Sequence, residues 1–234
     1  MNTFNLNPAI LEIPEPVKSL DIESIYVDVD DTRSIIDPVK RAKYDEDMKD
    51  VKAYTKALVS VANQIDLNGN DELVPLFLYY LDSWISAGAL EDGCTFTSID
   101  NVLVPINFSV IQVLPYINEN VLKATPYISD YINWALKLCK EMMKGYSELS
   151  NSSMSLNNHR YWAALATMTT SMVVTDYDTS LELYKENIDL AVWAREGLQI
   201  ALDQITEDGV LPLEEARGSL ALEYHNYALQ PLSL

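Results

Sequence analysis

The side chains best suited to chemistry fall in two short segments, NNHRYW at Asn157 to Trp162 and RGSLALEYHNYALQPL at Arg217 to Leu232, which hold both histidines of the chain. The first sets an amide beside an imidazole, and the second sets an arginine upstream of a tyrosine. Together Asn158, His159, Arg217 and Tyr224 can remove a weakly acidic C–H proton next to a carboxylate. Such a reaction needs donors for the charge that develops, a base for the carbon and an acid for the leaving group. Arg217 stands out further as one of only two basic residues after Lys185, the other being Arg195. Each segment alone also reads as ordinary structure, a capped helix start or an aromatic helix face; their joint occurrence favours chemistry.

Helices must position these groups, because helical spacing dominates and strand patterns are nearly absent after the first thirty-odd residues. Asp37-Pro38 is an N-cap followed by a first-turn proline, and the pattern Val51, Tyr54, Leu58, Val61 predicts one helix from Pro38 to Gln64. A turn at Leu67-Asn68-Gly69-Asn70 separates it from a second helix, Leu73 to Ala87. Its neighbour Asp71 completes a pattern with a superficial likeness to a calcium loop, but the glycine and glutamate spacings do not fit, so a plain interhelix turn is expected. Thr125-Pro126 starts a helix carrying Tyr127, Tyr131, Trp134, Leu138 and Met142 on one face. Further helices are predicted over Asn158 to Val174, Ser180 to Ile205 and Pro212 to Gln230. Successive helices with short loops define an all-α chain, as a bundle, solenoid or toroid. On the last predicted helix, the seven-residue separation places Arg217 and Tyr224 on one face.

Composition narrows the partners. The 234 residues are 48% hydrophobic, enough for one sizeable core. Sixteen basic residues against thirty-five acidic ones leave a net charge of −19, which disfavours nucleic acid and anionic membranes. No export signal and no stretch approaching a membrane span is evident. Cys94 and Cys139 lack metal-site spacing, so neither a metal nor a cofactor is expected. The run Asp28-Val29-Asp30-Asp31 reads as solvated surface.

The ordered motifs Asn157-Asn158-His159, Tyr161-Trp162-Ala163, Asp208-Gly209, Leu211-Pro212, Arg217 and Tyr224 to Leu232 resemble the alginate lyase family. LDSWISAGAL at Leu81 to Leu90 is similar to that family's aromatic helix end. Ser24, Tyr26, Asp30, Arg33 and Ser34 are similar to its mobile lid. The resemblance implies an incomplete α/α toroid over residues 37–234, preceded by an extended lid segment over residues 1–36, with a groove for a polyuronate. It implies that Arg217 and Asn158 bind the C5 carboxylate, that His159 or Tyr224 takes the C5 proton, and that Tyr224 protonates the leaving oxygen at C4. Arg217 would lower the pKa of Tyr224. Trp162, Tyr26, Arg33 and Trp84 become candidate substrate contacts, and an acidic polysaccharide the expected partner, met in the periplasm or outside the cell.

Departures from the family pattern refine this expectation. Ile25 stands where the family commonly has a lid lysine, Gly218 and Leu220 replace basic residues, and no lysine or arginine occurs between Lys56 and Lys123. A less densely charged uronate polymer would suit such a groove. Family members usually continue with more helices after the last motif, so the expectation is an open groove, its completion by a second copy in a homo-oligomer, or a truncated protein with reduced activity. Two other classes compete: a carbohydrate-binding or scaffold protein without turnover, and an inverting hydrolase, for which Glu214, Glu215 and Glu223 lack a partner carboxylate across the cleft.

Overall fold

In the computed structural model, residues 13–117, 125–149, 152–177 and 181–233 are described. The first twelve residues of the expected lid segment, Ser180 and Leu234 lie outside them. Among the described residues the helices are α1 (Pro38–Asp47), α2 (Lys49–Asn68), α3 (Val74–Ile85), α4 (Ile99–Val113), α5 (Thr125–Glu148), α6 (Asn158–Tyr177), α7 (Leu181–Gln204), α8 (Pro212–Glu215) and α9 (Ala221–Ser233). Among the described residues, β-type pairing is limited to two isolated bridges, Leu20 with Cys94 and Tyr26 with Ile36.

The helices form two layers. α2, α4, α6 and α9 lie side by side in that order. α3, α5 and α7 form the second layer, joined by the Lys140–Glu186 ion pair and by the Tyr146–Trp193 edge contact. The hairpins α2–α3, α4–α5 and α6–α7 each cross from one layer to the other, which is the construction of an α/α toroid. One large apolar cluster fills the space between the layers, with Leu58, Val61, Phe77, Leu81, Leu103, Ile106, Tyr131 and Met142 all buried. A small second cluster, Tyr161, Ala201, Leu211 and Ala228, seats α9 against α6 and α7.

Several boundaries differ from the sequence expectation for physical reasons. The predicted helix from Pro38 to Gln64 is two helices joined at buried Met48. The Asp37 carboxylate caps α1 by accepting from the Val39 and Lys40 amides. That helix buries no residue, whereas α2 buries seven, so only α2 must follow the core. The expected turn comes at Gly69 and Asn70, later than Leu67, because α2 runs on to Asn68 and Gly69 caps it in the left-handed region.

α4 was not anticipated, because Pro105 and an unbroken apolar run mask its periodicity. Its segment Phe96–Tyr116 has the length and hydropathy of a membrane span, contrary to the sequence reading. Packing accounts for this apolarity: α4 is covered by α2 on one side and α6 on the other. Asn107 ties α4 to α6, its amide donating to the Ala166 carbonyl and to the Thr169 and Thr170 hydroxyls. These bonds fix the helix that begins at Asn158.

Candidate active site

α6 starts at the site. Asn157 caps it, its side-chain oxygen accepting from the His159 amide at 3.1 Å. Asn158 is fully buried. Its backbone N–H donates to Glu214 Oε1 at 2.8 Å, and its side-chain amide donates to both Glu214 oxygens at 3.0 and 2.9 Å. Glu214, itself 1% exposed, belongs to the single turn of α8. Its carboxylate therefore meets the positive end of α6 and fixes which way the Asn158 amide points. Asn158 Oδ1 is buried without a hydrogen-bond partner. The amide donors expected to hold a substrate carboxylate are thus engaged by Glu214, and the free group of Asn158 is an acceptor.

His159 is half-buried, and its imidazole makes no hydrogen bond to the described residues. Burial first, then the nearby Arg217 and Arg33 charges, pull its pKa down to about 4. The ring is neutral at physiological pH with a lone pair available for a proton. The other histidine has a fixed structural part. His225 Nε2 accepts from the Leu211 amide, so its Nδ1 carries the proton and donates to the Ala221 carbonyl.

Arg217 and Tyr224 do not share a helix face. α8 ends at Glu215, Gly218 takes a left-handed φ of 57°, and α9 begins only at Ala221. The two side chains nevertheless meet, the Arg217 guanidinium carbon lying 3.5 Å from the centre of the Tyr224 ring. The same guanidinium is 5.1 Å from the Tyr26 ring. Arg217 lowers the pKa of Tyr224 as expected, but burial and the hydrogen bond with Tyr26 outweigh it, so the net shift is upward.

The N-terminal segment expected to be a lid contacts these groups. The Tyr26 and Tyr224 hydroxyls are hydrogen-bonded to each other. Arg217 Nε and Nη2 donate to the Thr32 and Arg33 carbonyls at 3.1 and 2.8 Å. Asp30, expected to be mere solvated surface, organises this turn. It accepts from the Thr32 hydroxyl and from the Thr32, Ser34 and Ile35 amides, with the hydroxyl leading the causes that lower its pKa to about 2. Arg33 is exposed at a φ of 49° and offers its carbonyl, rather than its guanidinium, to Arg217.

Of the remaining candidates, Trp162 is half-buried beside the site, its indole donating to the Tyr227 carbonyl and its ring 5.0 Å from that of Tyr227. Trp84 is in the core instead. It is 1% exposed, stacks on Tyr54 at 3.9 Å and donates to the Pro14 carbonyl, so it presents no face to a sugar. Glu214 is the residue whose part could not be read from sequence, since it lies 56 positions from Asn158 and only the fold joins them.

The fold and the site together define a helical toroid whose N-terminal segment is seated on Arg217 and Tyr224. The family model for alginate lyase matches residues 23–234, and the chain belongs to that family. It is 28% identical to an alginate lyase of Pseudomonas syringae pv. tomato over 246 aligned residues, covering 100% of this chain and 60% of the relative. An alginate lyase of Pseudomonas aeruginosa is 27% identical, covering 95% of this chain and 58% of the relative. The chain thus spans about 60% of the length of these relatives. Among solved structures it superposes on alginate lyase A1-III complexed with tetrasaccharide, with a TM-score of 0.74 at 17% identity, covering 97% of this chain and 60% of that one. The apo form of A1-III gives a TM-score of 0.69 at 18% identity, with 95% and 57% covered.

Proposed function

We propose that this chain carries the catalytic centre of a polysaccharide lyase that cleaves a uronate-containing polymer of the alginate type by β-elimination. The lid segment and the toroid act as one unit, on a polymer met in the periplasm or outside the cell. The observation that carries this reading is the Nε/Nη2 edge of Arg217 donating to two carbonyl oxygens, those of Thr32 and Arg33. That edge is the fork that can grip a carboxylate bidentately, so a uronate carboxylate can take the place of the two carbonyls.

When substrate replaces the lid carbonyls, Arg217 neutralises the C5 carboxylate and the enediolate charge that grows as the C5 proton leaves. Neutral His159 takes that proton, and the Tyr224 hydroxyl, released from Tyr26, gives its own to the departing C4 oxygen. The high pKa of Tyr224 keeps it protonated and suits the acid role. Asn158 offers its carbonyl oxygen as an acceptor to a sugar hydroxyl. A hydrolase gains no support, since the buried carboxylate of Glu214 is committed to Asn158.

Mass analysis of products from polymannuronate tests the reading. Elimination gives fragments whose masses sum to that of the parent. Fragments that have gained water mean a hydrolase, and an unchanged polymer bound by the protein means a carbohydrate-binding role.

A further inference from the structure

Away from the catalytic cluster, an open groove of about 440 Å³ runs along α2, lined by Lys52, Thr55, Lys56 and Asn63 and bounded by Pro105 of α4. It opens on the side of α2 opposite the buried Val51, Tyr54, Leu58 and Val61, within the same layer that carries α6 and α9. In a chain of net charge −19, six of the sixteen basic residues fall between Lys40 and Lys56. Most are neutralised locally: Lys40 by Asp28, Lys43 by Asp47, Lys49 by Glu46, and Arg41 with Lys52 by Asp45. Lys56 makes no ion pair among the described residues, and it faces the groove.

α1 links this groove to the site. Lys52 lies 4.9 Å from the centre of the Tyr44 ring, with Arg41 also over that ring. Tyr44 belongs to α1, whose Lys40 ammonium donates to the Tyr26 carbonyl at 3.1 Å, and the Tyr26 hydroxyl is hydrogen-bonded to that of Tyr224. Aromatic faces alternating with cations suit a glycan whose rings are apolar on one side and whose edges bear carboxylates.

We propose that Lys52 and Lys56, with Asn63 beside them, form a remote subsite for an acidic polysaccharide. It takes the carboxylate of a sugar further along the same chain than the one held at Tyr224 and Arg217. This rests on the polyuronate reading of the site, but not on turnover. The subsite supplies positive lining through the fold where the sequence has none between Lys56 and Lys123. Lys56 contributes more than Lys52, because no protein carboxylate competes for it.

The test is calorimetric binding of polymannuronate oligomers of increasing length to the full chain carrying Tyr224→Phe, with and without Lys52→Gln and Lys56→Gln. The expected result is that the double variant binds long oligomers roughly five- to tenfold more weakly and with a shallower salt dependence, while the shortest oligomers that bind are unaffected. Lys56→Gln alone should give at least half of the loss on a logarithmic scale. Equal binding by the double variant at every length overturns the subsite, and so does an equal loss at every length. If the wild-type chain forms no elimination product yet the double variant shows the length-dependent loss, the lyase reading fails and the subsite stands.

Discussion

Asn158 is the residue whose part changes most between sequence and structure. Its neighbours in the NNH segment suggested an amide donor for a carboxylate, but Glu214 takes both sets of donors and leaves an acceptor. Replacing Glu214 by Gln keeps the volume and introduces a donor that can turn the Asn158 amide around. The expected result is a fall in kcat of up to about a hundredfold with little change in KM, because a misoriented group costs most in the transition state. Unchanged kcat would show that the Asn158 orientation is incidental. Tyr224→Phe removes only a hydroxyl, so a loss of at least about a hundredfold in turnover is expected with the helical circular dichroism preserved. His159 sets the pH dependence. The base must be unprotonated, and its pKa is depressed to about 4, so the acid limb of kcat/KM should fall near pH 4 rather than near the 6.5 of an ordinary histidine. A limb near 6.5 would mean that His159 is not held as described.

At the scale of elements, most helices were legible because their apolar residues recur at helical spacing over several turns, as in α2 and α5. α4 was hidden by the burial of both its sides, and the break before α9 by Gly218, whose left-handed φ has no periodic signature. The meeting of Arg217 with Tyr224 was anticipated on the wrong geometry, one helix face instead of a turn folded back on a helix. Glu214 and Asp30 were invisible as partners, since hydrogen-bonding a remote amide or ordering a lid turn leaves no mark in local spacing. The start of α4 holds a further consequence. Asp100 is 3% exposed, and burial raises its pKa to about 7, with only its own and the Asn101 amides opposing the shift. Its folded pKa lies above the unfolded value of about 3.9, so the stability that it supports is present at acid pH and is lost as pH rises toward and through 7. Asp100→Asn should therefore stabilise the chain at pH 8 by roughly 1–4 kcal/mol and have little effect at pH 4, read from denaturant midpoints at the two pH values. Equal effects at both would show that Asp100 does not titrate in the native state.

At the scale of the molecule, two helical layers bring α6, α8, α9 and the lid to one place from positions nearly two hundred residues apart in sequence. The segment from Tyr26 to Arg33 occupies Arg217 and Tyr224, so on the proposed function binding of a uronate displaces the Thr32 and Arg33 carbonyls from Arg217 and the Tyr26 hydroxyl from Tyr224. The net charge of −19 keeps the surface at large repulsive to a polyanion and leaves attraction to a few focused positions. The central claim, elimination by Arg217, His159 and Tyr224, is tested most directly by following the ultraviolet absorbance of the unsaturated uronate end on polymannuronate with the wild-type chain and with Tyr224→Phe. The expected result is steady growth for the wild type and none for the variant at equal folded concentration. Absence of growth with the folded wild-type chain on every uronate polymer, or equal growth with the variant, would contradict it.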